Sequence, residues 1–268
     1  MGNALAVVHD ADGVDDATML AFARETRLSE TTFVQTATTA GADYRNRIWT
    51  VGGELPFAGH PSLGTAVAVA RARGETGEVR YVQQTGAGLQ PIEVKIAGAG
   101  TTASMLQEPA TFGIKVNATD AVRPLGLEAT AAEPNLSPQV VSTGLGHLIL
   151  PLRSVEDLSQ ITPDFAALPA LLEPRGAFGV YAACYEPANG TARARFFARD
   201  RGIGEDPATG SAAGPLCAYL HRYAGCSAVE ITQGVEMGRP SLLRAETVAD
   251  RVRVSGDVVV LIDGTVTL

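Results

Sequence analysis

The chain has 268 residues, long for one core and comfortable for two domains of ordinary size. Its composition, 46% hydrophobic and 19% charged with 29 glycines and 15 prolines, describes a compact, turn-rich globular protein and excludes a disordered or fibrous one. A net charge of -8 with no cluster of Lys or Arg argues against nucleic acid as a partner, and apolar runs such as residues 148–152 and 258–262 fall far short of the roughly 20 residues that span a bilayer.

The opening Met1-Gly2-Asn3-Ala4 lacks the charged region of a secretory signal, and Ala6 stands where a myristoylation motif needs Ser or Thr, so a cytoplasmic protein is expected. Cys184, Cys217 and Cys226 form neither an even framework nor a C-x-x-C, which fits reduced packing thiols.

Residues 15–28 carry Met19, Leu20, Phe22 and Ala23 on one face, with Asp15 or Asp16 as N-cap, and predict an amphipathic helix. Residues 31–38 and 47–51 read as strands, followed by a Gly52-Gly53 turn. Residues 62–73 are small and apolar all round, so that helix must be buried. Strands are expected at 79–84, 91–96 and 102–107, a helix near 117–125, and a polar linker at 128–138. Further strands follow at 139–142, 147–152, 178–184 and 193–199, and then a second buried helix. Two domains, 1–120 and 121–268, result, with a last strand near 258–268 able to return to the first.

Gly59-His60-Pro61-Ser62-Leu63-Gly64-Thr65-Ala66 aligns with Glu205-Asp206-Pro207-Ala208-Thr209-Gly210-Ser211-Ala212 in the shared pattern x-x-P-x-x-G-[ST]-A. Each copy follows a strand and opens an alanine-rich helix. The fold class expected is α+β, with two pseudo-symmetric domains, each a β-barrel-like sheet wrapped around a central helix.

Helix N-termini with reachable N–H groups bind anions, so two of them facing one cleft would hold a carboxylate and polarise an enol oxygen. The repeat places His60 and Asp206 as equivalents on the lips of such a cleft, where titratable groups suit proton transfer. A structural histidine and a helix N-cap are the plain alternatives for the two. Glu30, between a helix and a β-branched strand, is carried toward partly buried surroundings that raise a carboxyl pKa toward neutrality; the alternative is a solvated surface glutamate.

Ser29-Glu30-Thr31-Thr32-Phe33-Val34, the segment from Phe57 to Ala66 and the segment from Glu205 to Ala212 resemble the three signatures of the PhzF-like isomerases, in the family's order. Gln233-Gly234-Val235-Glu236-Met237-Gly238-Arg239-Pro240-Ser241 looks like a fourth. The resemblance implies the diaminopimelate-epimerase fold with the site between two domains, and a homodimer. It implies Glu30 as catalytic acid/base, His60 and Asp206 as its assisting pair, and Ser29, Gly59, Gly210 and Ser211 as substrate-binding positions. It implies no cofactor and no metal.

In the phenazine branch such an enzyme isomerises trans-2,3-dihydro-3-hydroxyanthranilate, moving a proton from the carbinol carbon to the carboxylate-bearing ring carbon. The family opens with a strand ahead of its Gly-Asn, which here is Gly2-Asn3, so the first barrel is expected to lack that strand. Two-cysteine epimerisation on the same fold is excluded, because none of the three cysteines lies in either signature; a proton shift on another metabolite, or a non-catalytic binding protein, stays open.

Overall fold

The computed structural model describes residues 2–98, 100–199 and 204–268. They form two compact units, Ala4–Leu106 with Ser255–Leu268, here the first unit, and Met1–Asn3 with Gln107–Val254, the second.

The first unit begins with β1 (Leu5–Val8), which follows Gly2-Asn3 directly, and continues through α1 (Asp16–Thr26), β2 (Glu30–Gln35), β3 (Tyr44–Thr50) and β4 (Gly53–Leu55). Then come α2 (Gly59–Ala72), β5 (Gly77–Thr85), β6 (Gly88–Ala97) and β7 (Gly100–Leu106). Asp15 caps α1 by accepting from the Thr18 N–H at 2.8 Å. The strands run in the order β1-β2-β3-β5-β6-β7, with β4 on the far half of β3.

α2 packs against β1, β2, β3, β5, β6 and β7, so the sheet curls round it. That enclosure explains the all-apolar helix: Leu63, Ala66, Val67, Val69 and Ala70 meet Ile92, Val94 and Ala103. The outer face of β2 and β3 buries Phe33 and Trp49 against Met19 and Ala23 of α1, as strand alternation requires.

The second unit holds β8 (Thr111–Lys115), α3 (Ala118–Val122), β9 (Gln139–Ser142), β10 (Gly146–Pro151), α4 (Val155–Ser159), α5 (Leu168–Leu172), β11 (Gly179–Glu186) and β12 (Thr191–Ala198). It goes on to β13 (Glu205–Asp206), α6 (Gly210–Ala224), β14 (Ala228–Gln233), β15 (Ser241–Val248) and the first half of β16 (Arg251–Val258). Ala212, Ala213, Leu216 and Leu220 of α6 fill the inner core with Val229, Ile231 and Ile149. Leu148 and Leu150, on the other face of β10, join Leu158, Leu168 and Leu172 in an outer core. Residues 128–138, expected as a linker, instead carry Ala131 and Ala132 into that outer core.

Both units repeat one device. β5 returns parallel to β3 through α2, with Tyr44 opposite Gln83, and β14 returns parallel to β12 through α6, with Thr191 opposite Glu230. Ahead of each helix a short strand, β4 or β13, folds back antiparallel and is gripped by a buried arginine. Arg47 holds Glu54 at 2.8 and 2.6 Å; Arg195 holds Glu205 at 2.8 and 3.0 Å. On the side of β10 away from β11 lies β9, whereas β1, the counterpart of β10, ends its sheet. Residues 259–268, read from sequence as a strand, form none and leave Leu261 and Ile262 88% and 91% exposed.

The register of the repeat differs from the sequence alignment. The N-cap residues are Ala58 and Thr209, so Ala58-Gly59-His60 is the counterpart of Thr209-Gly210-Ser211. His60 therefore corresponds to Ser211 and not to Asp206, which lies in β13 ahead of its helix. The shared proline misleads because the first N–H groups of a helix have no intrahelical acceptor: Pro61 fits inside the first turn of α2, while Pro207 stays outside α6. Gly64 then lies within α2, where a Cβ would come 2.6 Å from Leu5 Cδ2, so glycine lets β1 approach the helix.

Candidate active site

In the first unit Glu30 opens β2 and His60 lies in the first turn of α2. A hydroxyl pair, Thr32 on β2 and Thr65 on α2 at 2.8 Å, ties strand to helix. The result brings His60 Nε2 to 3.4 Å from Glu30 Oε2, with the two side chains 21% and 17% exposed. Both side chains are largely shielded from bulk water, and the facing atoms, Glu30 Oε2 and His60 Nε2, are buried. Burial pushes the His60 imidazole down to about 4, against a hydrogen bond at the Ala4 backbone that favours its charged form. At neutral pH the pair is a carboxyl group beside an uncharged ring that can accept or donate a proton.

Gly59 is the buried first residue of α2, and Ala58 offers no side chain to cap the helix. Ser29, the neighbour of Glu30, is exposed.

In the second unit Asp206 lies in β13, half-buried, four groups of contacts fixing it. Asn3 Nδ2 donates to Oδ1 at 2.7 Å, the Thr209 hydroxyl donates to Oδ2, the Ala208 N–H donates to the carboxylate, and Gln233 Nε2 donates to the backbone oxygen at 2.6 Å. Burial raises the carboxyl pKa; the Thr209, Asn3 and Ala208 donors pull it down. Gly210 and Ser211 open α6, whose N-cap Thr209 turns its hydroxyl to Asp206 and makes no side-chain bond to the helix.

Sequence reasoning thus named the groups that each unit gathers, Glu30 with His60 and Asp206 with Gly210 and Ser211, but missed Asn3, Thr209 and Gln233. The signal for Gln233 was its place at the head of the fourth segment. Among the described residues no three His, Cys, Asp or Glu side chains gather as a metal site requires, and no helix is long and apolar enough to cross a membrane.

The sequence profile described as phenazine biosynthesis-like protein, PhzC-PhzF, matches residues 1–264. A trans-2,3-dihydro-3-hydroxyanthranilate isomerase of Pseudomonas chlororaphis is 36% identical over all of this chain and 94% of its own length. A structure described as a predicted epimerase from Pseudomonas aeruginosa superposes with a TM-score of 0.83 at 35% identity, over 96% of this chain and 90% of that one. A phenazine biosynthesis protein of the PhzF family from Bacillus anthracis gives 0.83 at 25% identity, over 98% and 94%. With its two helix-centred units and signature segments, the chain belongs to the phenazine biosynthesis-like family and is an isomerase of the PhzF type.

Proposed function

We propose that this isomerase shifts a proton on a small cyclic amino- or hydroxy-carboxylate, with trans-2,3-dihydro-3-hydroxyanthranilate, the substrate in its relatives' names, as the first candidate. The observation that carries the reading is the Glu30–His60 pair, 3.4 Å apart with both side chains largely buried. Glu30 as carboxylate takes the proton from the carbinol carbon and, now a carboxylic acid, delivers it to the carboxylate-bearing ring carbon. One C–H bond breaks and another forms, the double bonds move between them, and no electrons leave the substrate.

His60, uncharged at neutral pH, exchanges a hydrogen bond with Glu30 as its charge changes. Asp206 hydrogen-bonds the amino or hydroxyl group, and the N–H groups at Gly59, Gly210 and Ser211 receive the carboxylate and restrain charge build-up. We also infer a cytoplasmic homodimer that needs no cofactor, on the family resemblance. Sedimentation at monomer mass across micromolar concentrations would count against the dimer.

The test is incubation with the dihydro-hydroxyanthranilate in deuterated water. Turnover with deuterium at the new sp3 ring carbon supports the reading, and Glu30→Gln should lower kcat by at least about a hundredfold with ligand affinity little changed. A folded Glu30→Gln variant with normal turnover would overturn it.

A further inference from the structure

The segment Gln233–Ser241 has no role in the reading above, yet it lies directly behind Asp206. Gln233 ends β14, has no exposed surface, and uses its whole amide. Its Oε1 accepts from the Tyr181 hydroxyl at 2.9 Å and the Thr209 N–H at 3.1 Å; its Nε2 donates to the Asp206 backbone oxygen at 2.6 Å and to Thr209 Oγ1 at 2.9 Å. The amide has one orientation, because an N–H can only donate and a carbonyl only accept.

That orientation dictates the next bond. Thr209 Oγ1 receives a proton from Gln233, so its own proton points to Asp206 Oδ2. The rest of the segment closes the arrangement. Gly234, at φ +77, is held so tightly that a Cβ would lie 2.7 Å from the Pro207 carbonyl oxygen. Arg239 Nε donates to the Gly2 carbonyl at 2.9 Å, fixing the chain beside Asn3, the donor to the other carboxylate oxygen.

We propose that Gln233 is a positioning residue for Asp206: it sets the direction of the Thr209 hydroxyl and so keeps the Asp206 carboxylate oriented, with one oxygen on Thr209 and the other on Asn3. This rests on the reading of Asp206 as part of the catalytic machinery.

The test is to titrate the Asp206 carboxyl by carbon-13 NMR, with Asp206→Asn to assign the signal, in wild type, Gln233→Met and Thr209→Val. Both variants weaken the same donor to the carboxylate, so each should move its midpoint up by about one pH unit, and the double variant should move it no further than the larger single shift. In turnover assays kcat should fall about tenfold or more with KM within about threefold, and the pH-profile limb that coincides with the Asp206 NMR midpoint in wild type should move with that midpoint in the variants. Thr209→Val leaves the backbone N–H to Gln233 intact and keeps the test open if Gln233→Met does not fold. A midpoint unmoved in a folded variant, with Asp206→Asn inactive, would overturn the inference alone. Full turnover in Asp206→Asn would instead overturn the reading of Asp206.

Discussion

Replacing Arg195 by methionine tests the buried clamp on β13. The Arg195 side chain is 7% exposed, and its Nη1 also donates to the carbonyls of Leu158 at 3.1 Å and Ile161 at 3.2 Å. Methionine fills the stem volume but strands the Glu205 carboxylate and the Ile161 carbonyl, while the Leu158 carbonyl keeps the Ile161 N–H at 3.4 Å. Breaking a buried pair costs about 3–5 kcal/mol; Glu205, 19% exposed, keeps some water and brings that to about the lower end. The Ile161 carbonyl adds up to about 1 kcal/mol, giving a loss of about 3–4 kcal/mol. For a chain of this size that lowers Tm by about 10 °C. Urea unfolding followed by far-UV circular dichroism reads the loss, and Arg195→Met/Glu205→Gln should recover about half of it, because the stranded charge is gone. A loss under about 1 kcal/mol, or a double variant no better than the single, would refute the argument.

His147, fully buried between Phe178 and Phe196, reaches no hydrogen-bond partner among the described residues with either ring nitrogen, and burial pushes its pKa down to about 3. An unfolded histidine titrates near about 6.5, so between that pH and about 3 the unfolded state binds more protons and stability falls as pH falls. His147→Phe should remove up to about 1.4 kcal/mol per pH unit from that slope, measured by urea unfolding from pH 7 to 4; an unchanged slope would speak against it. Gly214→Ala should destabilise by about 1–3 kcal/mol, because the new Cβ would meet Gln107 Oε1, which accepts from Thr143, while Gln107 Nε2 donates to the Gly210 carbonyl. A thermal melt at wild-type temperature would show that Gln107 can move aside without loss. Ile262→Lys should leave the melting temperature within about 1–2 °C of wild type and reduce light scattering at high concentration, since the side chain is 91% exposed; a large drop would mean that the tail is packed in solution.

Local chemistry made the central helices legible. A run such as Ala66-Val67-Ala68-Val69-Ala70 tolerates no wet face, so burial followed from composition. Where the helices begin was less legible, because Pro61 and Pro207 fit the same short pattern while one lies inside a helix and the other ahead of it. The start is decided by how β4 and β13 return to β3 and β12, which depends on Arg47 meeting Glu54 and Arg195 meeting Glu205. The residues alone pointed to Glu30 and His60 separately and only the family resemblance joined them, because their contact links residues 30 apart in the chain. Gln233 was quoted as part of a segment, yet its partners Tyr181 and Thr209 lie 52 and 24 positions away, a convergence no local window displays.

The chain runs through the units in an interleaved order: Asn3 belongs with the later residues, Leu106 closes one passage, and the boundary between Val254 and Ser255 divides β16 itself. The first unit is completed by Ser255–Leu268, a segment synthesised after every residue of the second unit. The later-made unit therefore has its full set of residues before the earlier-made one. Neither unit can be cut out as one uninterrupted stretch of coding sequence.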